Sequence, residues 1–277
     1  MAFLSAFADE VADSFPGQVK YLASENIGFI EIRFVDKKNV MDLTNNELNA
    51  AKKIMADYGI KVCAIGSPIG KVNINEPFAP HLEKFKHAVS LAEFFEAPFI
   101  RMFSYYPPEG EKIDDYRDRV IERLTAKTEL LKDSSVVMAH ENETGIYGYS
   151  AKNCVDIVKS VDSEKLRLVY DSGNFVWGQK ITDNITSCWP LMKPYVVHIH
   201  IKDWKLNADV GSMPGRGDGQ IKELLAELSV MNYDGFITME PHLKAGGQFG
   251  GQTGPGLFSQ AVSAVRELAA ETGLKLD

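Results

Sequence analysis

Four short apolar runs end in side chains able to hold a divalent cation. Met138-Ala139-His140-Glu141-Asn142-Glu143 ends in carboxylates, and Val169-Tyr170-Asp171-Ser172-Gly173-Asn174 turns polar at an aspartate. Val197-His198-Ile199-His200-Ile201-Lys202-Asp203 offers imidazoles, and Thr238-Met239-Glu240-Pro241-His242 a glutamate. From Glu141 to Asp171, His200 and Glu240 the successive gaps are 30, 29 and 40 residues. Three carboxylates and one imidazole make an oxygen-rich, single-nitrogen set. It suits Mn²⁺ first, with Mg²⁺, Co²⁺ or Zn²⁺ also compatible. Four protein ligands leave two positions of an octahedron for adjacent oxygens of a substrate. The competing reading is structural, since an acid at a strand end can simply cap the next helix. Four neighbouring segments that all end this way favour the metal. Glu141 is preferred to Glu143 because it directly ends the apolar run.

Such residues meet only if the intervening chain returns each time to the same end of a sheet. Eight strand candidates are legible, over 3–8, 29–35, 61–67, 99–105, 136–141, 167–171, 196–201 and 236–240. Helical periodicity fills the gaps. Thr44 followed by Glu47 reads as a capping box before a helix over 47–58. Leu82, Phe85, Val89 and Ala92 form one stripe over 80–96, and Val120, Leu124, Lys127 and Leu131 another over 116–131. A last helix is read over 257–270. Eight strand–helix units repeating every ~33 residues predict an α/β fold, a single (β/α)8 TIM barrel spanning 1–277. A doubly wound open sheet is disfavoured, because the turn after the first strand, AFADEVADS, contains no glycine. Alternation along the strands is consistent with the site. Glu240 and Thr238 share one face, and His198 lies one layer beneath His200.

The 277 residues are 45% hydrophobic, 25% charged and 10% aromatic, which excludes disordered and disulfide-scaffold classes. No apolar run is long enough to span a bilayer. The opening MAFLSAFADE lacks a basic n-region, which predicts a cytoplasmic protein. Thirty basic against 38 acidic residues give a net charge of −8 without a Lys/Arg cluster, arguing against nucleic acid as a partner. Cys63, Cys154 and Cys188 are widely spaced and read as reduced, buried side chains. A homo-oligomer is compatible with all of this.

The motifs HENE, YDSGNF, HIHIKD and TMEPH, in this order, resemble the xylose-isomerase-like barrel superfamily of sugar isomerases and epimerases, in particular ketose 3-epimerases and sugar phosphate isomerase/epimerase proteins. The resemblance spans nearly the whole chain and implies metal ligation by Glu141, Asp171, His200 and Glu240. It also implies that Glu141 and Glu240 form the acid/base pair. Two departures bear on the substrate. Asn174 stands where ketose 3-epimerases usually carry a histidine, and Leu206 near their usual arginine, with Lys202 or Arg216 as candidate replacements.

The implied chemistry is proton abstraction next to a carbonyl. A metal chelating the carbonyl and a neighbouring hydroxyl stabilises an enediolate, while one carboxylate takes the proton and the other returns it. The substrate would be a small sugar or polyol. Further substrate-binding candidates are Lys202, Arg101, His242, Asn174 and Arg216. Glu31, Arg33 and Arg101 read equally as hydroxyl or phosphate contacts and as buried ion pairs, and Lys202 as a snorkelling surface lysine. His81 and His87 are expected to face solvent. The loop Pro214-Gly215-Arg216-Gly217-Asp218-Gly219 reads as a turn or a weak phosphate site. The glycine-rich stretch 246–256 reads as a lid bearing Phe249, or as slack between strand and helix. Phe103, Tyr105, Tyr106, Phe175 and Trp177 are candidate walls of the pocket. The alternatives are a hydro-lyase acting on a cyclic polyol and a barrel that binds sugar without turning it over.

Overall fold

Strand-forming runs and amphipathic helices alternate here, and a computed structural model, describing residues 1–245 and 252–277, gives the closure they build. Eight parallel strands run β1 (Phe3–Ala6), β2 (Phe29–Ile32), β3 (Lys61–Gly66), β4 (Phe99–Met102), β5 (Val137–Glu141), β6 (Leu166–Asp171), β7 (Val196–Ile201) and β8 (Phe236–Met239). They pair in chain order, and β8 returns to β1 in the register Phe3↔Phe236 and Ser5↔Thr238, so no sheet edge is left.

The covering helices are α1 (Phe15–Ser24), α2 (Asn45–Asp57), α3 (Phe78–Phe95), α4 (Arg117–Leu130), α5 (Ala151–Val161), α6 (Ser172–Gln179), α7 (Ile221–Val230) and α8 (Pro255–Thr272). α2 begins at the capping box read from Thr44 and Glu47, with both reciprocal bonds formed. Outward strand residues such as Ile237, Met239, Ile199 and Ile201 are fully buried beneath these helices.

Three predicted strands are shorter than expected. After Ala6 the chain turns into a 3-10 segment at Ala8–Glu10. After Ile32 it enters a small hairpin, Phe34–Val35 with Lys38–Asn39. After Met102 it reaches Tyr105, which sits at φ +70°. Helix α3 buries Phe85 and Ala92 of the expected stripe but turns its other two residues partly outward. His81, Phe85, Ala88, Leu91 and Phe95 are buried, whereas Leu82 and Val89 are only partly so. His81 is therefore not solvent-facing: its ring packs on Tyr105 at 5.5 Å. His87 is exposed. The three cysteines are free and buried.

The barrel interior is layered. Phe3, Phe29, Phe99 and Phe236, each the first residue of its strand, form a phenyl plug with ring centroids 4.9–6.2 Å apart. Above it lies a polar layer of Ser5, Glu31, Cys63, His198 and Thr238, all fully buried. The register then sets Asp171 beside His200 and His200 beside Thr238. The charged strand ends lie above.

Candidate metal centre

Glu141, Asp171, His200 and Glu240 come from β5, β6, β7 and the residue after β8. All four are buried, and each offers a ligand atom within 4.8 Å of the others. His200 Nδ1 lies 3.4 Å from Glu141 Oε1 and 3.6 Å from Glu240 Oε2. His200 Nδ1 has no hydrogen-bond partner although it is inaccessible to solvent, and Asp171 Oδ2, equally buried, is faced by the Lys202 ammonium at 2.8 Å. Buried polar atoms are normally satisfied, so the unpartnered imidazole nitrogen fits a ligand for a cation. Five buried carboxylates (Glu10, Glu31, Glu141, Asp171, Glu240) face three buried cations (Arg33, Arg101, Lys202), a formal surplus of two negative charges. The chain itself offsets that surplus: burial lifts the Glu10 and Asp171 carboxyls, and at His200 burial is outweighed by the facing Glu31 and Glu141, which lift its pKa to about 10.

The helix-cap reading holds for one residue only, and only in part. Asp171 Oδ1 accepts from Asn174 N at 3.0 Å and caps α6, while Oδ2 turns to the cluster. Glu143 stands outside the cluster, paired with Lys71 at 3.0 Å.

Each ligand is held by neighbours. Glu31 Oε2 lies 2.8 Å from His198 Nε2 and 3.0 Å from His200 Nε2, so one carboxylate orients both imidazoles. Arg101 Nε bridges Glu31 and Glu141 at 3.4 Å each, and its Nη1 donates to Ser67 O at 2.9 Å. Asn174 Nδ2 donates to Glu141 Oε1 at 3.1 Å. Arg33 reaches Glu240 at 3.0 Å and Asp9 at 2.9 Å. Lys202 Nζ lies 2.8 Å from Asp171 and 3.4 Å from Glu240, and is buried rather than snorkelling. Its backbone and side-chain stem pass so close to Gly173 that a Cβ there would lie 2.5 Å from Lys202 O. His242 Nε2 lies 3.3 Å from both Glu240 and Glu10.

These contacts set the charges. Burial raises the Glu240 carboxyl, but Lys202, His242 and Arg33 outweigh it and hold the pKa well below the usual carboxylate range. For Glu141, burial is likewise outweighed, here by His200 and Arg101. Burial dominates at Asp171 and lifts its carboxyl despite Lys202.

A cavity of about 190 Å³ opens above the cluster, lined in part by Arg33, Arg101, Glu141, Lys202, Glu240 and His242. Asn174 lines an adjoining cavity, as do Tyr106 and Trp177, while Phe103 lines the first. Arg216 is not brought to the site: it is exposed and lines neither cavity. The reason is Asp203. Its carboxylate accepts from the backbone N–H groups of Trp204, Gly215, Gly217 and Gly219 at 2.8–2.9 Å, and a Cβ at Gly217 would clash with it at 2.3 Å. The loop amides read as a weak phosphate signal are thus already occupied. Tyr105 and Phe175 are buried away from the cavity, Tyr105 OH accepting from Lys127 and Phe175 packing on Tyr170 at 5.6 Å. Of the lid read over 246–256, residues 246–251, Phe249 among them, fall outside the described residues.

Two groups escaped the sequence reading. Phe7 lies edge-on to His200 at 5.3 Å and beneath the Arg33 guanidinium at 4.2 Å. Glu10 accepts from His242 N and from Thr253. Both leave the chain just past β1, where no periodicity marks an inward side chain. No helix among the described residues is long and apolar enough to cross a membrane.

The fold is shared widely. The D-psicose 3-epimerase of Clostridium cellulolyticum H10 superposes with TM-score 0.76 at 14% identity, over 99% of both chains. A xylose isomerase-like TIM barrel protein from Mycobacterium smegmatis, solved in complex with magnesium, gives 0.76 at 15% identity over 99% and 97%. A probable 3-DHS dehydratase from Bacillus anthracis gives 0.75 at 14% over 96% and 99%. An uncharacterised protein of Methanocaldococcus jannaschii is 22% identical over 164 residues, and that match spans 57% of this chain and 56% of the relative. Residues 19–268 match a family described as xylose isomerase-like TIM barrel. With its closed eight-stranded barrel and a family match over most of its length, the chain belongs to the xylose isomerase-like TIM barrels.

Proposed function

We propose that this barrel is a divalent-metal-dependent sugar isomerase or epimerase, with Glu141, Asp171, His200 and Glu240 as ligands and Mn²⁺ as the favoured ion. The observation that carries the reading is the convergence of four buried ligand atoms within 4.8 Å, beneath a cavity whose wall includes both glutamates. An ion held by these four side chains would supply Lewis-acid charge that acidifies a C–H next to the substrate carbonyl. Glu240, faced by Arg33, Lys202 and His242, is held ionised and ready to accept that proton. Glu141, steadied by Asn174 and Arg101, is the partner that exchanges a proton on its own side of the cavity. Returning the proton to the opposite face epimerises the carbon, and returning it to the neighbouring carbon isomerises the sugar. The Lys202 ammonium, 2.8 Å from Asp171 and 3.4 Å from Glu240, would neutralise charge that builds on a substrate oxygen.

The test is solvent deuterium entering recovered ketoses from a broad panel, with Mn²⁺ present. We expect incorporation in the wild type, and a loss of at least 10³-fold in Glu240→Gln with folding retained. Near-normal exchange in that variant removes Glu240 from the mechanism. No exchange in the wild type with any sugar would favour a barrel that only binds. A hydro-lyase reading is supported by the dehydratase among the structural neighbours. It begins with the same proton abstraction but ends in loss of water, which ultraviolet absorbance of an enone product detects.

A further inference from the structure

The cavity above the cluster continues into a second compartment of about 350 Å³, and Glu143, Lys202 and His242 stand in the walls of both. The outer walls carry three aromatic rings, Trp177, Trp204 and Tyr106. Two elements step outward in the same way. On α6, Asn174 touches Glu141, and Trp177 follows three residues later, one turn along the same face. On the segment leaving β7, Lys202 touches Asp171 and Glu240, and Trp204 follows two residues later. The two indoles meet at 6.3 Å and 65°. Trp204 is buried and pinned by its Nε1 bond to Ala208 O at 2.9 Å, whereas Trp177 is 45% exposed. One ring is therefore the support and the other an open face.

An inner space of about 190 Å³ is small beside the ~300–1,000 Å³ of typical ligand pockets. A reaction confined to one sugar would leave the aromatic compartment without a task. Flat indole faces hold the C–H face of a sugar ring, or an aryl group, by the same dispersion contact. We propose that the substrate is a sugar bearing a second ring through a glycosidic bond. The reacting unit lies over the four ligands, and the second ring lies against Trp177. This rests on the reading of the inner cavity as a sugar site.

Calorimetric titration of the Mn²⁺-loaded protein tests it with two matched pairs: lactulose, a ketose carrying a galactosyl ring, against fructose, and phenyl against methyl β-D-glucoside, which have no carbonyl and probe ring binding alone. In at least one pair the ring-bearing ligand should bind about tenfold tighter. Trp177→Ala should collapse that ratio toward unity, and Trp177→Phe should keep most of it. A preference confined to lactulose assigns the outer compartment to a second sugar, and one confined to the phenyl glucoside assigns it to an aryl aglycone. Equal affinities within both pairs, or a ratio that survives Trp177→Ala, overturn the proposal. Deuterium exchange into fructose is scored separately, so failure of the proton-transfer reading is distinguishable from failure of the ring preference.

Discussion

Glu31 Oε2 faces two imidazole Nε2 atoms at once, His198 at 2.8 Å and His200 at 3.0 Å, in a fully buried layer beneath the cluster. A carboxylate can only accept, so it draws the proton of His200 to Nε2 and leaves Nδ1 facing Glu141 and Glu240. An amide oxygen could still accept from both rings, but the amide carries no negative charge and would turn an NH2 donor toward Arg101 Nε, which donates to Oε1. We therefore expect Glu31→Gln to weaken Mn²⁺ binding by ~10–100-fold, read from the free-ion signal in electron paramagnetic resonance. An unchanged Mn²⁺ affinity would show that Glu31 does not set the ring. At this scale the sequence was informative where an apolar run stops abruptly, as at Glu141, Asp171, His200 and Glu240. It was silent about Glu10 and Phe7, which reach the site from irregular backbone. It pointed wrongly at Arg216, whose loop is turned by the four amides that Asp203 gathers.

At the scale of elements, α4 was read with Lys127 on its apolar stripe, and the side chain is indeed fully buried. Its ammonium donates to Tyr105 OH at 2.7 Å and lies over the Tyr105 ring at 4.7 Å, and among the described residues no carboxylate pairs with it. Burial, with Arg123 nearby, pushes its pKa down to about 7. In the unfolded chain the value is ~10.4, so between these limits the unfolded state holds more protons and stability rises with pH. Lys127→Met removes that dependence. The variant should be more stable relative to wild type at pH 7 than at pH 9.5, by roughly 3 kcal/mol in urea unfolding. A pH-independent difference would mean that the lysine stays charged in the fold. The same environment explains why α3 buries His81 and Ala88 in place of Leu82 and Val89, while Phe85 and Ala92 are buried as expected. His81 packs on Tyr105 and shares the buried side of the helix with Phe85, so a polar residue occupies a place that a hydrophobicity pattern assigns to Leu82. Strand positions were legible because alternation persists inside a closed sheet. Their ends were not, because hairpins and a positive-φ turn take the chain away before its β-forming residues run out.

At the scale of the whole molecule the barrel separates stability from chemistry along its axis, as (β/α)8 folds generally do. The charged cluster occupies the C-terminal mouth, where crowded carboxylates and the unpartnered His200 Nδ1 work against folding and a bound cation would relieve them. The opposite end must supply compensating cohesion, and the phenyl plug is placed to do so. Phe236 touches three of its fellows, Phe3, Phe29 and Phe99, and lies under the His198 ring at 6.2 Å. It is only partly buried, so its truncation should cost less than the ~3–5 kcal/mol of a fully enclosed phenylalanine. Phe236→Ala should lower the free energy of unfolding by about 2 kcal/mol, measured in urea, because three aromatic pairs are lost together with apolar burial. Its Mn²⁺ affinity should stay within about threefold of wild type, since the polar layer of Glu31, His198 and Thr238 is tied by its own hydrogen bonds. If Phe236→Ala weakened Mn²⁺ binding as much as Glu31→Gln, the two ends of the barrel would be one cooperative unit rather than a floor and a working mouth.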